Sequence, residues 1–306
     1  MKKILSLFLS LVLVFSLVAC SNNNTGTNGE SESESGVLNV QFVPTNNDGT
    51  MQAKAEPFAR YLSEKLGREV KVTLATDYST IVEAMASGQV DLGIMPPAAY
   101  VQARGLKAAE ALLTSVLGGY NDETGEPEDQ TSGAFRAEIL VRADSDIQTF
   151  EDLRGKKIAT LSPTSASGYI YPVAELKGKG LDLTKESTLT PVNDIPSEIT
   201  SVLNGQQDAA FSFEGTRYVF NGIFDEDLPT ELRVLYLTEA EIPNDAIAVN
   251  PKMSQELKDK IVEVFKNMNQ DEEGKEAMSM WSHQGYTDAV ESNYDTVEQY
   301  TNTAAE

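Results

Sequence analysis

Histidine occurs once, at His283, cysteine once, at Cys20, and tryptophan once, at Trp281, in a chain of 306 residues. A lone cysteine excludes a disulfide or a cysteine metal site within one chain. One histidine starves a zinc centre of ligands and would force any Ser-His-Asp arrangement to be built on His283. No Gly-x-Ser-x-Gly element is present, and although acids are plentiful, no spacing singles out a carboxylate pair for hydrolysis. The expectation is therefore a protein that performs no chemistry and carries no metal or cofactor. Basic residues are also scarce, 24 Lys and Arg against 47 Asp and Glu, for a net charge of −23. So acidic a surface argues against nucleic acid and anionic lipid as partners. Any anion site must then work through local donors, because the long-range field opposes it.

Long apolar runs are nearly absent. The one clear case, Ile4 to Val18, follows the basic Met1-Lys2-Lys3 and falls short of the ~20 residues a bilayer span needs, so residues 1–19 read as a cleaved signal sequence. The run closes on Leu17-Val18-Ala19-Cys20, which resembles a bacterial lipobox. That resemblance implies cleavage before Cys20 and lipid on its sulfur, hence an extracytoplasmic protein anchored to the cell membrane. A disulfide-linked dimer through Cys20 is the weaker reading. Beyond it, Ser21 to Gly36 holds only Ser, Asn, Thr, Gly and Glu, the composition of a flexible tether, so 20–36 forms a lipidated tether and the fold starts near Val37. About 270 residues remain, enough for two lobes with their own cores.

From Val37 the segments alternate. Leu38, Val40 and Phe42 predict a strand; Phe58, Tyr61, Leu62 and Leu66 recur at helical spacing before Gly67; Val70, Val72 and Leu74 predict the next strand. Thr80 and Glu83 predict a capping box for a helix that stops at Gly88, and Val90, Leu92 and Ile94 predict a strand that breaks at Pro96-Pro97. This is the order of a largely parallel sheet with crossover helices. The order returns further on: Gly88-Gln89-Val90-Asp91-Leu92 is echoed by Gly205-Gln206-Gln207-Asp208-Ala209, 117 residues later, and at that offset Asp77 falls on Asp194. Two lobes of one α/β architecture follow, with ligand-facing loops at the carboxyl ends of the strands. Ala137–Val141 and Ala246–Val249 read as two crossover strands forming a hinge, Gly119 to Gly133 as a polar loop at the cleft rim, and the helical pattern through Leu257, Ile261, Phe265 and Trp281 as core packing for the first lobe.

One turn carries most of the functional signal. After the apolar Lys157-Ile158-Ala159-Thr160-Leu161 comes Ser162-Pro163-Thr164-Ser165-Ala166-Ser167-Gly168-Tyr169-Ile170-Tyr171-Pro172, a strand-to-helix turn crowded with hydroxyls. Orphan N–H groups and the positive end of a helix dipole make such a turn an oxyanion site without any lysine. It is not a nucleotide P-loop, because the glycine spacing is wrong and no Lys-Ser/Thr pair follows. A plain Ser/Thr helix cap is the alternative.

Six stretches recur in a fixed order: Ala75-Thr76-Asp77-Tyr78, Gly88-Gln89-Val90-Asp91 leading to Pro97-Ala98-Ala99-Tyr100, Phe150 to Lys156, Ser165 to Tyr169 with Pro172, Val202 to Ala210, and Ile242-Pro243-Asn244-Asp245. In these the chain resembles the phosphate/phosphite/phosphonate substrate-binding proteins of ABC importers, the PhnD-like family, and the resemblance has consequences for fold and function. It implies a two-lobed type II periplasmic-binding-protein fold, lobe 1 formed by 37–137 with 247–306 and lobe 2 by 138–246. It also implies a monomer that closes on a small oxyanion and delivers it to an ABC permease and its ATPase subunits. Carried over by position, Tyr78 and Tyr100 offer phenolic donors, while Ser165, Ser167 and the N–H groups of Gly168 and Tyr169 hold anion oxygens. Glu214 stands where the family usually has aspartate, and Thr45, Thr164 and Asp194 are secondary candidates. Three departures are Ala166 inside the usual Ser-Thr-Ser, Ile195 at the usual histidine, and Glu214 itself.

Each candidate has a plainer alternative. Tyr78 and Tyr100 can serve as core aromatics. Glu214 fits a proton shared with a monoanion, an ammonium on an aminoalkyl ligand, or simple pairing with Arg217. For the whole chain the alternatives are a different ligand in the same transport role, such as a sulfonate, an aminoalkyl compound or a thiamine-precursor-like molecule, or a tethered ligand sensor.

Overall fold

The structure, a computed structural model, describes residues 36–44, 49–121 and 124–306. The signal segment, Cys20, the tether up to Ser35, and Thr45 lie outside the described residues.

The chain begins β1 (Leu38–Phe42), α1 (Thr50–Leu66), β2 (Val70–Leu74), α2 (Tyr78–Ala86), β3 (Leu92–Met95) and α3 (Pro97–Gly105). It continues through β4 (Glu110–Tyr120), β5 (Pro127–Ser132), β6 (Ala134–Phe135) and β7 (Ala137–Arg142). A second alternation follows with β8 (Lys157–Thr160), α4 (Tyr171–Gly178), α5 (Leu183–Glu186), β9 (Thr188–Pro191), α6 (Ile195–Leu203), β10 (Ala209–Phe213), α7 (Thr216–Val219) and α8 (Leu228–Glu231). The chain returns by β11 (Leu232–Leu237), β12 (Ile242–Pro243) and β13 (Ala246–Val249), then ends in α9 (Gln255–Asn267), α10 (Glu272–Ser279), β14 (Gly285–Asp288) and α11 (Asp295–Ala305).

Two main sheets result. One runs β14-β4-β13-β3-β1-β2 with β5 paired to β4; the other runs β11-β7-β10-β8-β9. β1 is parallel to β2 and β3, as β8 is to β9 and β10, so each sheet contains the same two-crossover unit. Each also takes an antiparallel strand beside that unit: β13 with Ile247 opposite Ile94, and β7 with Leu140 opposite Ala210. The runs expected as crossover strands are thus interior strands. Apart from Glu138 the residues of the two runs are apolar because both faces are covered. The passage between sheets lies just outside them, where β6 and β12 pair with Phe135 opposite Ile242.

The repeat seen in the sequence extends to individual hydrogen bonds. Asp77 and Asp194 are the N-caps of α2 and α6, accepting from Thr80 N and Ser197 N, each at 2.8 Å. Gly88 and Gly205 close the same helices with φ of 73° and 69°, a left-handed conformation that glycine adopts without penalty. Asp91 and Asp208 then accept from the backbone of the neighbouring strand, Asn39 N at 2.8 Å and Lys157 N at 2.7 Å.

The first sheet is covered by α1, whose Met51, Ala55, Phe58, Leu62 and Leu66 are buried at helical spacing, and by Ile261 and Phe265 of α9. Trp281 sits edge-on to both Phe42 and Phe58 at 4.9 and 5.1 Å. Burying each such side chain contributes about 1.5–3 kcal/mol. The expected core role of this region holds for α9 and Trp281. The last helix differs: α11 packs on both α3 and α4, with Tyr300 over Tyr171 at 4.5 Å and Glu298 paired to Arg104 at 2.8 Å. The stretch read as a polar loop from Gly119 to Gly133 is largely a hairpin of β4 and β5. Its Glu128, Asp129 and Gln130 are exposed and polar, with Glu128 accepting from Asn121 Nδ2 at 3.1 Å and Gln130 Nε2 at 3.2 Å, so no apolar alternation betrays the strand. Among the described residues no helix is long and apolar enough to cross a membrane.

Candidate functional site

The hydroxyl-rich turn begins where β8 ends. Ser165 N donates to Ser162 O at 2.8 Å, and the hydroxyls of Ser162 and Thr164 meet at 2.8 Å. Ala166–Ile170 then forms one π-helical turn, with Ile170 N reaching back to Ser165 O at 2.9 Å before α4 begins. Single π turns are uncommon and recur at functional sites. Gly168 is required here, since a Cβ would lie 2.7 Å from the Leu161 side chain. Its N–H, expected to hold an anion oxygen, is engaged within the turn. It donates to Ser165 Oγ at 3.2 Å, because Ser165 is the N-cap of the wide turn. The cap and the candidate donor are therefore the same residue. Ser165 is buried, while Thr164, Ser167 and Tyr169 are half-buried, and Tyr169 packs against apolar clusters on two sides.

A residue from the first sheet meets this turn. Tyr78 opens α2 just after β2, half-buried, and packs against the cluster that holds Ala166 and Ile170, which brings its phenol within reach of the Ser165 side chain. Burial pushes the Tyr78 phenol up to about 12, opposed by the Ser165 hydrogen bond and reinforced by the charges of Asp245 and Glu198. Tyr78 thus stays a protonated donor at any physiological pH. Four elements converge: the end of β2, the end of β8, the start of α6 and the approach to β13. All lie where an open α/β sheet places its ligands. Asp194, a secondary candidate, is engaged as the α6 cap.

Two expected ligand contacts are placed elsewhere. Tyr100 is fully buried in the core, donating to Glu291 Oε1 at 2.5 Å, accepting from Ala111 N at 3.2 Å and packing edge-on to Tyr294 at 4.7 Å. Its position after β3 suggested a strand-end donor, but α3 turns the ring inward against Glu291–Tyr294 and the α11 that follows. Glu214 is also buried, and both its oxygens are held by Arg136: Nη2 to Oε1 at 2.8 Å and the backbone N to Oε2 at 3.0 Å. The Arg217 partner suggested by sequence proximity instead donates to the carbonyls of Leu232 and Thr124 at 3.2 and 3.0 Å.

Behind Glu214 lies a second buried acid, Glu138 of β7, whose Oε2 accepts weakly from Gly215 N at 3.4 Å. Burial raises the Glu138 carboxyl to about 8, with Glu214 adding to the rise and Arg217 opposing it. Gly215 is left-handed at φ 83°, and a Cβ there would sit 1.9 Å from the Tyr120 ring. The end of β4 therefore rests directly on the loop after β10.

The sequence reading missed Asp245 and Glu198. Asp245 precedes β13, with Oδ2 at 3.6 Å from His283 Nε2, and its charge reaches Tyr78. It lies inside the quoted Ile242-Pro243-Asn244-Asp245 motif, which was the available signal. Glu198 is fully buried in α6 with no hydrogen-bond partner on either oxygen. An acid in the first turn of a helix ordinarily complements the dipole in solvent, so nothing local marked it. Burial, followed by the charge of Asp194, holds Glu198 well above the usual carboxylate range. Among the described residues no cluster of three or more His, Cys, Asp or Glu is arranged to hold a metal ion.

Comparison with known proteins agrees with this layout. The chain is similar to the Phosphate-import protein PhnD of Mycolicibacterium smegmatis, 29% identical over 257 residues covering 81% of this chain and 76% of that protein. Its fold is similar to the binding-protein component of an ABC phosphonate transporter from Pseudomonas aeruginosa, with a TM-score of 0.72 at 18% identity, over 89% of this chain and 87% of the other. It is also similar to PhnD1 of Prochlorococcus marinus in complex with methylphosphonate, with a TM-score of 0.69 at 18% identity, over 88% and 98% of the two chains. Residues 40–294 match the family described as ABC transporter, phosphonate, periplasmic substrate-binding protein. Matched over most of its length, the chain belongs to this family of substrate-binding proteins.

Proposed function

We propose that the protein captures a small phosphorus oxyanion, phosphonate, phosphite or phosphate, between two lobes and delivers it to an ABC permease, performing no chemistry itself. The lobes are 37–137 with 247–306, and 138–246. The observation that carries this reading is the meeting of Tyr78, from the end of β2, with Ser165, from the turn after β8: two hydroxyls from different sheets converge on one point. Hydroxyl donors suit an oxyanion on so acidic a protein, because they bind without adding charge. The names of the relatives, a phosphate importer and a methylphosphonate complex, support the same ligand class. In this reading Ser167 and Tyr169 complete the rim of the site, Cys20 carries a lipid anchor, and the protein acts as a monomer outside the cytoplasm.

A second ligand class is favoured by one observation. Ala166 and Ile195 are apolar where the family resemblance expects a hydroxyl and an imidazole, and Glu198 and Asp245 add acid beside Tyr78. A sulfonate, an aminoalkyl compound or a thiamine-precursor-like molecule would then occupy the same cleft.

The test is a thermal-shift series with phosphate, phosphite, methylphosphonate, an aminoalkylphosphonate, sulfate, taurine and thiamine. Ligand that binds only the folded state raises the melting temperature with its concentration. A rise with a phosphorus oxyanion supports the first reading. A rise confined to the other compounds overturns it in favour of the second.

A further inference from the structure

Glu198 is a buried acid that the fold itself does not use. Neither carboxyl oxygen has a partner, and leaving a buried polar group unpaired costs about 1–3 kcal/mol. The nearby hydroxyl of its own helix is engaged elsewhere, Ser201 Oγ donating to the Glu198 carbonyl at 2.7 Å. The strands packed against α6 are β7, β8 and β10. Their ionisable groups are Glu138 and Arg142 on β7 and Lys157 on β8. Arg142 is committed to Asp144 and to Leu203 O at the opposite end of α6, and Lys157 is exposed. The groups whose charge is coupled to it are Asp194 at the cap and the Tyr78 phenol from α2, with Asp245 acting on the same phenol. With acids and no cation among these, Glu198 is held in its neutral form, an O–H without an acceptor one turn into α6, at the strand-end side of the sheet where β9 lies beside β8 and β8 leads into Ser165.

We propose that Glu198 is a specificity-determining residue, donating its carboxylic O–H to one oxygen of the anion gripped by Tyr78 and Ser165, an inference that rests on the oxyanion reading above. A hydrogen bond from a neutral acid to an anionic oxygen is short and strong. It also explains how a site bordered by Asp194 and Asp245 accepts an anion: the carboxyl nearest the ligand brings a proton in place of a charge. Once that proton is lost, Glu198 repels the same ligand, so capture weakens as pH rises.

The experiment is titration calorimetry of the protein with methylphosphonate, inorganic phosphate and phosphite from about pH 5.5 to 9, on wild type, Glu198→Gln and Glu198→Ala. Thermal unfolding of each variant confirms folding. The amide of Glu198→Gln keeps an N–H donor and cannot ionise, and the ligand's own titration is common to both proteins and cancels in their ratio. Wild-type affinity should fall by about tenfold to a hundredfold relative to Glu198→Gln across the range, the worth of one charge-assisted hydrogen bond. Glu198→Ala should bind about tenfold more weakly than Glu198→Gln at the acid end. Parallel wild-type and Glu198→Gln profiles overturn the inference while leaving the oxyanion reading intact. So does tighter binding of an aminoalkylphosphonate that releases a proton and is lost in Glu198→Gln, which would make Glu198 an acceptor for a cation. Failure of wild type to bind any of the three probes removes the oxyanion reading and this inference together.

Discussion

Replacing Glu138 with glutamine should change how stability depends on pH. In the folded protein this carboxyl is lifted from 4.5 to about 8, chiefly by burial. Between those two values the native state keeps a proton that the unfolded chain has lost, so the unfolded state binds fewer protons and stability falls as pH rises. The contribution is full below about 4.5 and gone once pH passes about 8. At 1.36 kcal/mol per pH unit the whole rise caps the effect at roughly 5 kcal/mol. Water entry and the nearby Arg217 guanidinium trim this, so about 2–3 kcal/mol is the expected loss. Glutamine preserves volume and hydrogen-bonding capacity but does not ionise, so Glu138→Gln should lack this part of the pH dependence. Urea unfolding of both proteins at about pH 5 and pH 8.5 measures it, and the difference between them removes contributions they share, including that of Glu198. Parallel stability profiles would refute the assignment of Glu138 as a proton-bearing buried acid.

Ser165 and Ser167 changed together to Ala should weaken oxyanion binding by about tenfold or more in calorimetry. Some loss of stability should follow from the missing Ser165 cap, and unchanged affinity would remove the turn from the site. Tyr78→Phe and Tyr100→Phe separate a ligand-facing phenol from a core one: the first should lower affinity about tenfold with little effect on urea midpoint. The second should leave affinity unaltered and cost about 1–2 kcal/mol, since Glu291 and Ala111 lose their partner. Gly215→Ala should destabilise the protein by about 2 kcal/mol or more in urea unfolding, because it meets both a left-handed backbone and the Tyr120 ring. Wild-type stability in that variant would mean that the β4 end does not rest on the loop after β10.

The paired sheets were legible because their signals are local and repeated. Gly88 and Gly205 end helices, Asp77 and Asp194 start them, and Asp91 and Asp208 tie each third strand to its neighbour, the same three marks recurring in the same order in both halves. Tyr100 was less legible, because a strand-end tyrosine points to ligand or core according to the helix that follows. What turned it inward is Glu291, nearly two hundred residues away. Glu214 met the same difficulty, its partner Arg136 lying 78 residues upstream. The hairpin of β4 and β5 escaped for a different reason, since β5 is polar and exposed along nearly its whole length and carries no apolar alternation.

The sequence by itself determined the α/β alternation, the duplication, the acidic surface and the hydroxyl turn after β8, because periodicity, caps and composition act over short distances along the chain. Only the tertiary structure decided which of those residues meet. Tyr78 and Ser165 follow strands of different sheets, and Glu198 became a buried, unpartnered acid only when α6 packed on β7, β8 and β10. Desolvation is a property of everything packed around a group, and no stretch of sequence carries it.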